Sequence, residues 1–209
     1  MKTQKKPGRP KSSTVSRRPI MAEEYEDLMM YVNQQVLKPT SQDKLRKAFC
    51  LSYYFGTRIS ELLLLTREDI FSLINSEKGI LSLSNATKTK RPRLILVGKK
   101  GVQEIRDLFE MEWDPMIDNM KEKVFQGHKG SELGVPGFTK FLNTHIRAGL
   151  DSKLFSSHSF RAGIITSMLK NRVDIATVSK FIGHSNVSVT LSYHRPQESD
   201  LMEAAELAR

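Results

Sequence analysis

The chain has a single cysteine, Cys50, among its 209 residues. One thiol cannot build an intrachain disulfide framework or a multi-cysteine metal cluster, which suits a reducing compartment. Cys50 lies in an apolar run and reads as a small core residue. Long hydrophobic runs are also missing: "ISELLLL" and "RLILV" fall far short of the roughly 20 apolar residues of a membrane helix. The N-terminus carries Lys2, Lys5 and Lys6 with no apolar region behind them, unlike a secretory signal. Neither secretion nor a membrane location is expected. The Asn186-Val187-Ser188 triplet is then a chance sequon rather than a glycan site. Internal repeats are absent, and Pro- or Ser-rich linkers occur only in the first 18 residues.

Acidic residues are absent from residues 1–18, which hold seven basic side chains (Lys2, Lys5, Lys6, Arg9, Lys11, Arg17, Arg18). The rest of the chain has 26 basic against 23 acidic residues, so the net charge of +10 is concentrated in the tail. A polyanion is the first partner to consider. This segment, almost free of apolar side chains, is expected to be disordered. Within it, "KKPGRPK" resembles the AT-hook, an extended element that enters the minor groove of A·T-rich DNA. Proline favours extension, glycine permits close approach, and arginine seeks the negative potential of a narrow groove. A generic basic tail or nuclear-import signal is the alternative.

Hydrophobic residues make up 39% of the chain and are spread through its middle and end, enough for one folded domain behind the tail. In "MAEEYEDLMMYVNQQV", Tyr25, Leu28, Met29 and Val32 recur at helical spacing behind an acidic first turn. "SQDKLRKAFCLSYYFG" offers Ser41 or Asp43 as N-cap and Gly56 as a stop. A short helix is expected through "ISELLLL", and Thr66 to Asp69 resembles a capping box. "ILSLS" and "RLILV" read as two short strands joined by a basic connection with Lys88 and Lys90. Helices are expected from Val102 to Met111, through "FTKFLNTHIRAGL", after His158, from Asp174 to Gly183, before Tyr193, and through "QESDLMEAAELAR". The stretch from Trp113 to Gly137 is less regular. The fold class is therefore α+β: mainly α-helical with a small antiparallel β-sheet.

Arg58, His158, Arg161, His184 and Tyr193 each have an ordinary structural reading, such as a surface arginine or a helix-capping histidine. Together they describe one reaction. Two permanently charged, planar guanidinium groups beside imidazoles form a cradle for a phosphodiester. A tyrosine oxygen can attack phosphorus once cations stabilise the phenolate and the charge developing on the phosphoryl oxygens. A lysine can protonate the departing sugar oxygen.

These residues resemble the boxes of the tyrosine recombinases, the phage integrase family. "GTRISELLLL" is similar to the first arginine box and "HSFR" to the His-x-x-Arg element. "IGHSNVSVTLSYHR" is similar to the closing box, with His184 lying 26 residues after His158 and 9 before Tyr193. The strand-turn-strand with a lysine in its turn also fits. The likeness runs from about Pro19 to Arg209 and implies the family's catalytic-domain fold over residues 19–209. By position, it implies Tyr193 as the nucleophile forming a 3′-phosphotyrosyl bond, with Arg58 and Arg161 on the non-bridging oxygens. His184 would be a further donor, His158 an aid to proton transfer and Lys88 the general acid, with Lys90 as the alternative. Glu61 would orient its neighbours. The implied chemistry uses no metal and no other cofactor.

Most family members carry a separate helical DNA clamp before the catalytic domain, and Arg58 lies too near the N-terminus to leave room for one. The basic tail (Lys5, Lys6, Arg9, Lys11, Arg17, Arg18) is expected to replace it in part on double-stranded DNA. The closing helix places Leu201, Ala204, Ala205 and Leu207 near one face. It either folds back on its own domain or packs on a neighbour in a homo-tetramer assembled on DNA, the free chain being monomer or dimer. Two other functions remain open: a type IB topoisomerase-like nicking and resealing enzyme, and a non-catalytic DNA-binding protein derived from a recombinase. The expected compartment is the cytoplasm of a prokaryote or the nucleus of a eukaryote.

Overall fold

A computed structural model describes residues 18–83, 93–109, 113, 115–116, 118–193, 202 and 205–206. Helix α1 (Ala22–Gln34) buries Tyr25, Leu28 and Val32 on one stripe, and Glu23 and Glu24 in its first turn favour its positive end. Helix α2 (Pro39–Phe55) starts earlier than expected. Lys38 is its N-cap rather than Ser41 or Asp43, and proline takes the first turn, where its fixed φ suits the helix and its missing N–H is not needed. Asp43 pairs instead with Lys47 at 2.7 Å. Gly56, at φ 55°, ends α2 in the left-handed conformation.

Helix α3 (Ile59–Leu62) follows, then α4 (Arg67–Ile74), where Thr66 Oγ1 accepts from the Asp69 N–H and the Asp69 carboxylate accepts from the Thr66 N–H. This is the capping box read from the sequence. Strands β1 (Ile80–Leu83) and β2 (Arg93–Leu96) pair antiparallel, with Ile80 opposite Leu96 and Leu83 opposite Arg93. Lys88 and Lys90, in the connection between them, lie outside the described residues.

Helix α5 (Lys99–Phe109) begins one turn before Val102. Gly101 stands inside it, where a Cβ would sit 2.6 Å from the Tyr54 ring. Among its described residues the irregular middle has one 3₁₀ turn, and it is pinned to the start of α4, where Val124 N–H donates to Leu65 O and Arg67 pairs with Glu122. Helix α6 (Val135–Gly149) begins before Gly137 because Pro136 again suits a first turn. Helix α7 (Ser157–Lys170) takes in His158 in its first turn, α8 (Ile175–Ile182) is capped by the Asp174 carboxylate, and α9 (Val187–Leu191) is capped by Asn186. Of the expected closing helix, Met202, Ala205 and Glu206 are helical, while Leu201, Ala204 and Leu207 lie outside the described residues.

Helix α2 is the central beam. Its residues Leu45, Ala48, Phe49, Cys50, Leu51 and Phe55 are fully buried, and it packs on α1, α5 and α7. The Phe49 and Phe160 rings tie α2 to α7 with centroids 5.7 Å apart. Beside α2, Glu104 accepts hydrogen bonds from the hydroxyls of Tyr25 and Tyr54. Burial pushes the Cys50 thiol up to about 12, in keeping with an inert core cysteine. A second apolar cluster of Ile165, Val178 and Ile182 joins α7 to α8, and Tyr193 packs against it. Among the described residues, no helix is long and apolar enough to cross a membrane.

Candidate active site

Two helix ends frame the site. Gly56 and Gly183, at φ 55° and 74°, terminate α2 and α8 in a conformation that other residues adopt only under strain. The last carbonyls of a helix have no partner within it and carry the negative end of its dipole. Both helices present theirs to arginines. Arg161 Nη1 donates to Gly56 O at 2.8 Å, and its Nη2 donates to Ile182 O at 2.7 Å. Arg93 binds the carbonyls one residue earlier on each helix, Phe55 O at 3.0 Å through Nη2 and Phe181 O at 3.4 Å through Nε. Both guanidinium groups are buried.

Arg58 is the N-cap of α3, and Glu61 stands in that helix's first turn. The Glu61 carboxylate, 2% exposed, accepts from Arg58 Nη1 at 2.8 Å and the Arg58 backbone N–H at 3.0 Å. It also accepts from Arg93 Nη1 at 2.9 Å. One buried anion thus orients two cations, while the Arg58 side chain stays 46% exposed. Three guanidinium groups around one carboxylate leave the cluster cationic, as a phosphodiester site requires.

His184 follows the α8 stop, its Nδ1 lying 2.9 Å from Thr190 Oγ1. Partial burial, then Arg161, Arg58 and Arg93, push its ring down to about 4, so it is neutral at physiological pH. Burial and the same arginine neighbours, Arg93 and Arg58, push Arg161 down to about 9, opposed by Glu61 and Tyr193. Arg161 therefore stays charged at neutral pH, and Tyr193 lies within its electrostatic reach. The tyrosine is half-buried two residues beyond α9, its N–H donating to Thr190 O at 3.0 Å.

The structure therefore gathers Arg58, Glu61, Arg161, His184 and Tyr193. His158 is exposed in the first turn of α7, three residues before Arg161 and on the same side of the helix. Lys5, Lys6, Arg9, Lys11 and Arg17 lie outside the described residues. Arg18 is described: its N–H donates to Leu154 O and its guanidinium sits 5.2 Å from the Phe155 ring centroid, so the tail is anchored at that point.

Sequence reasoning missed Arg93 and Thr190. The signal for Arg93 was its place in the alternation of β2, in phase with buried Ile95 and Val97. An arginine on the inward face of a strand needs a buried partner. Thr190 is the buried polar residue of α9, between His184 and Tyr193 in the chain.

Comparison with known proteins agrees with this geometry. The sequence pattern of the phage integrase family matches residues 18–200. The tyrosine recombinase XerC of Pediococcus pentosaceus is 28% identical over 186 residues, covering 86% of this chain and 60% of the relative. The tyrosine recombinase XerA of Thermococcus onnurineus is 30% identical over 176 residues, covering 82% and 57%. The chain thus spans less than two thirds of the length of these curated relatives. The fold matches that of XerH site-specific recombinase bound to difH substrate, with a TM-score of 0.69 at 20% identity over 95% of this chain and 56% of the other. It also matches the Tn1549 transposon integrase in complex with circular intermediate DNA, with a TM-score of 0.67 at 16% identity over 91% and 67%. With the family pattern spanning nearly all of the folded chain, and a buried arginine cradle, histidine and tyrosine in one cluster, this protein belongs to the phage integrase family, the tyrosine recombinases.

Proposed function

We propose that this protein cuts and rejoins double-stranded DNA as a site-specific recombinase or integrase, through a 3′-phosphotyrosyl intermediate on Tyr193. The observation that carries the reading is the cradle of Arg58, Arg161 and neutral His184 at the ends of α2 and α8, with Tyr193 packed against the neighbouring cluster of Ile165, Val178 and Ile182. The carbonyls of Gly56 and Ile182 fix the Arg161 plane before substrate arrives. Each Nη has one N–H left, and with the plane already held, donating it to a phosphate oxygen would need little reorganisation.

In this reading, Tyr193 Oη loses its proton with the help of His158 and attacks phosphorus. A P–Oη bond forms as the bond to the 5′ oxygen breaks, and that oxygen leaves as a hydroxyl after taking a proton from Lys88. Arg58, Arg161 and His184 hold the non-bridging oxygens. If the Thr190 hydroxyl donates to Nδ1, the ring proton of His184 sits on Nε2 and is free to donate. A 5′-hydroxyl from another strand then reverses the chemistry, and the ester bond stores the energy needed for joining. Neither step calls for a metal, because the arginines supply the positive charge.

Residues 19–209 would act as the catalytic unit and residues 1–18 as a basic arm along the DNA, in a homo-tetramer formed on the duplex. The compartment would be that of the DNA, cytoplasm or nucleus according to host. The test is trapping on a nicked suicide duplex, whose cleaved end diffuses away. A covalent protein–DNA adduct is expected from the wild type and none from Tyr193→Phe. A wild type that forms no adduct would refute catalysis and leave a DNA-binding role.

A further inference from the structure

We propose that Arg93 is a positioning residue of this active site, holding Glu61, and through it Arg58, in the orientation that receives the scissile phosphate. The inference rests on the recombinase reading.

Arg93 is 6% exposed, and each of its three guanidinium nitrogens donates to a protein acceptor: Nη1 to Glu61, Nη2 to Phe55 O and Nε to Phe181 O. Arg93 differs from Arg161 in spending one Nη on the buried Glu61 carboxylate and its Nε on a third acceptor, which marks it as a residue that orients Glu61. Arg58 differs, with nearly half of its side chain exposed and Nη1 on Glu61. Burying a guanidinium is costly, and an apolar residue at that strand position would avoid the cost. Its retention makes sense if the charge and the fork are both used.

The fork ties β2 to three other elements at once. Arg93 begins β2 and reaches the ends of α2 and α8 and the buried carboxylate of α3. On α2 and α8 it takes Phe55 O and Phe181 O, and Arg161 takes the next carbonyl on each, Gly56 O and Ile182 O. The two guanidinium groups therefore clamp the same pair of helix ends side by side, which fixes Arg161 relative to Arg58. Gly183 leaves room for this, since a Cβ there would stand 3.1 Å from Arg93 Cδ. A lysine keeps the charge at this position but cannot reach Glu61 and both carbonyls from one nitrogen.

The test uses the full chain with Arg93→Gln and Arg93→Lys. Single-turnover adduct formation on the nicked duplex is expected to slow about ten- to hundredfold in both, with duplex affinity unchanged, as for residues that orient groups touching substrate. In a Glu61→Gln background, Arg93→Gln should add almost nothing, because the connection to Arg58 is already broken. A third readout needs no cleavage: NMR titration of His184 in the free protein should move up in Arg93→Gln, which removes a neighbouring cation, and stay in place in Arg93→Lys. Where Arg93→Gln does not fold, Arg93→Lys carries the kinetic arm. Unchanged adduct rates, or losses additive with Glu61→Gln, would overturn the inference. A wild type without adduct would sink the recombinase reading, and an unmoved His184 titration in Arg93→Gln would then sink the inference separately.

Discussion

Replacing Glu61 with alanine removes the only carboxylate that accepts from the arginine cluster among the described residues. The wild-type Glu61 side chain is 2% exposed and takes three hydrogen bonds from Arg58 and Arg93. Removing one partner of a buried ion pair leaves the other charge uncompensated and costs about 3–5 kcal/mol. Two features place this case at the lower end. Arg93 keeps the Phe55 and Phe181 carbonyls, and the half-exposed Arg58 can regain water. The expected loss is therefore about 3 kcal/mol. For a chain of this size, each kcal/mol lowers Tm by about 2–4 °C, giving a drop of about 6–12 °C. Thermal unfolding followed by circular dichroism measures it, with Arg58→Ala as the control. That variant removes the solvent-facing partner and should cost under about 1 kcal/mol. A Glu61→Ala protein within about 1 kcal/mol of wild type, or an Arg58→Ala protein equally destabilised, would refute the idea that Glu61 chiefly compensates buried charge.

His184, held down to about 4 against an ordinary 6.5, is neutral in the folded state. Its contribution to stability is fully present above pH 6.5 and is lost as pH falls from there through 4. Bound phosphodiester should raise the ring's pKa, which NMR of the ring protons with and without a duplex would detect; an unshifted ring would place His184 away from the phosphate. Gly163→Ala should displace residues 18–20, because a Cβ there would lie 2.0 Å from the backbone oxygen of Ile20, whose N–H bonds to Ser159 O. Faster amide exchange at Ile20 and a lower Tm are expected, and an unaltered Ile20 would contradict the packing. Lys88→Ala should slow cleavage of an ordinary duplex yet cleave normally when sulfur replaces the bridging 5′ oxygen, since a thiolate leaves without protonation. If Lys90→Ala gives that pattern instead, Lys90 is the acid. Deleting residues 1–17 removes six cations, and the salt slope of DNA binding should fall by about one unit for each phosphate that those cations neutralise. An unchanged slope would assign the arm another role.

Most of the fold is legible along the chain because local chemistry decides it. The stripe Tyr25, Leu28 and Val32, the stops at Gly56 and Gly183, the Thr66–Asp69 box and the paired strands all follow from rules acting over a few residues. Helix starts are less legible. Pro39 and Pro136 begin helices earlier than the polar caps and apolar spacing suggest, because proline breaks a helix interior yet suits its first turn. Gly101 misleads similarly, since its reason for being glycine is the Tyr54 ring, remote in the chain.

For the site, the sequence alone picked out candidates, though not Arg93 or Thr190. Arg58, Arg161, His184 and Tyr193 stand beside helix caps and stops whose spacing is visible along the chain. Only the tertiary structure decided how they are held. The carbonyls that aim Arg161 belong to Gly56 and Ile182, 105 and 21 residues away, and the partner that orients Arg58 is shared with Arg93 across 32 residues. A guanidinium's orientation depends on acceptors brought to it by packing, and no local pattern encodes which carbonyls will arrive.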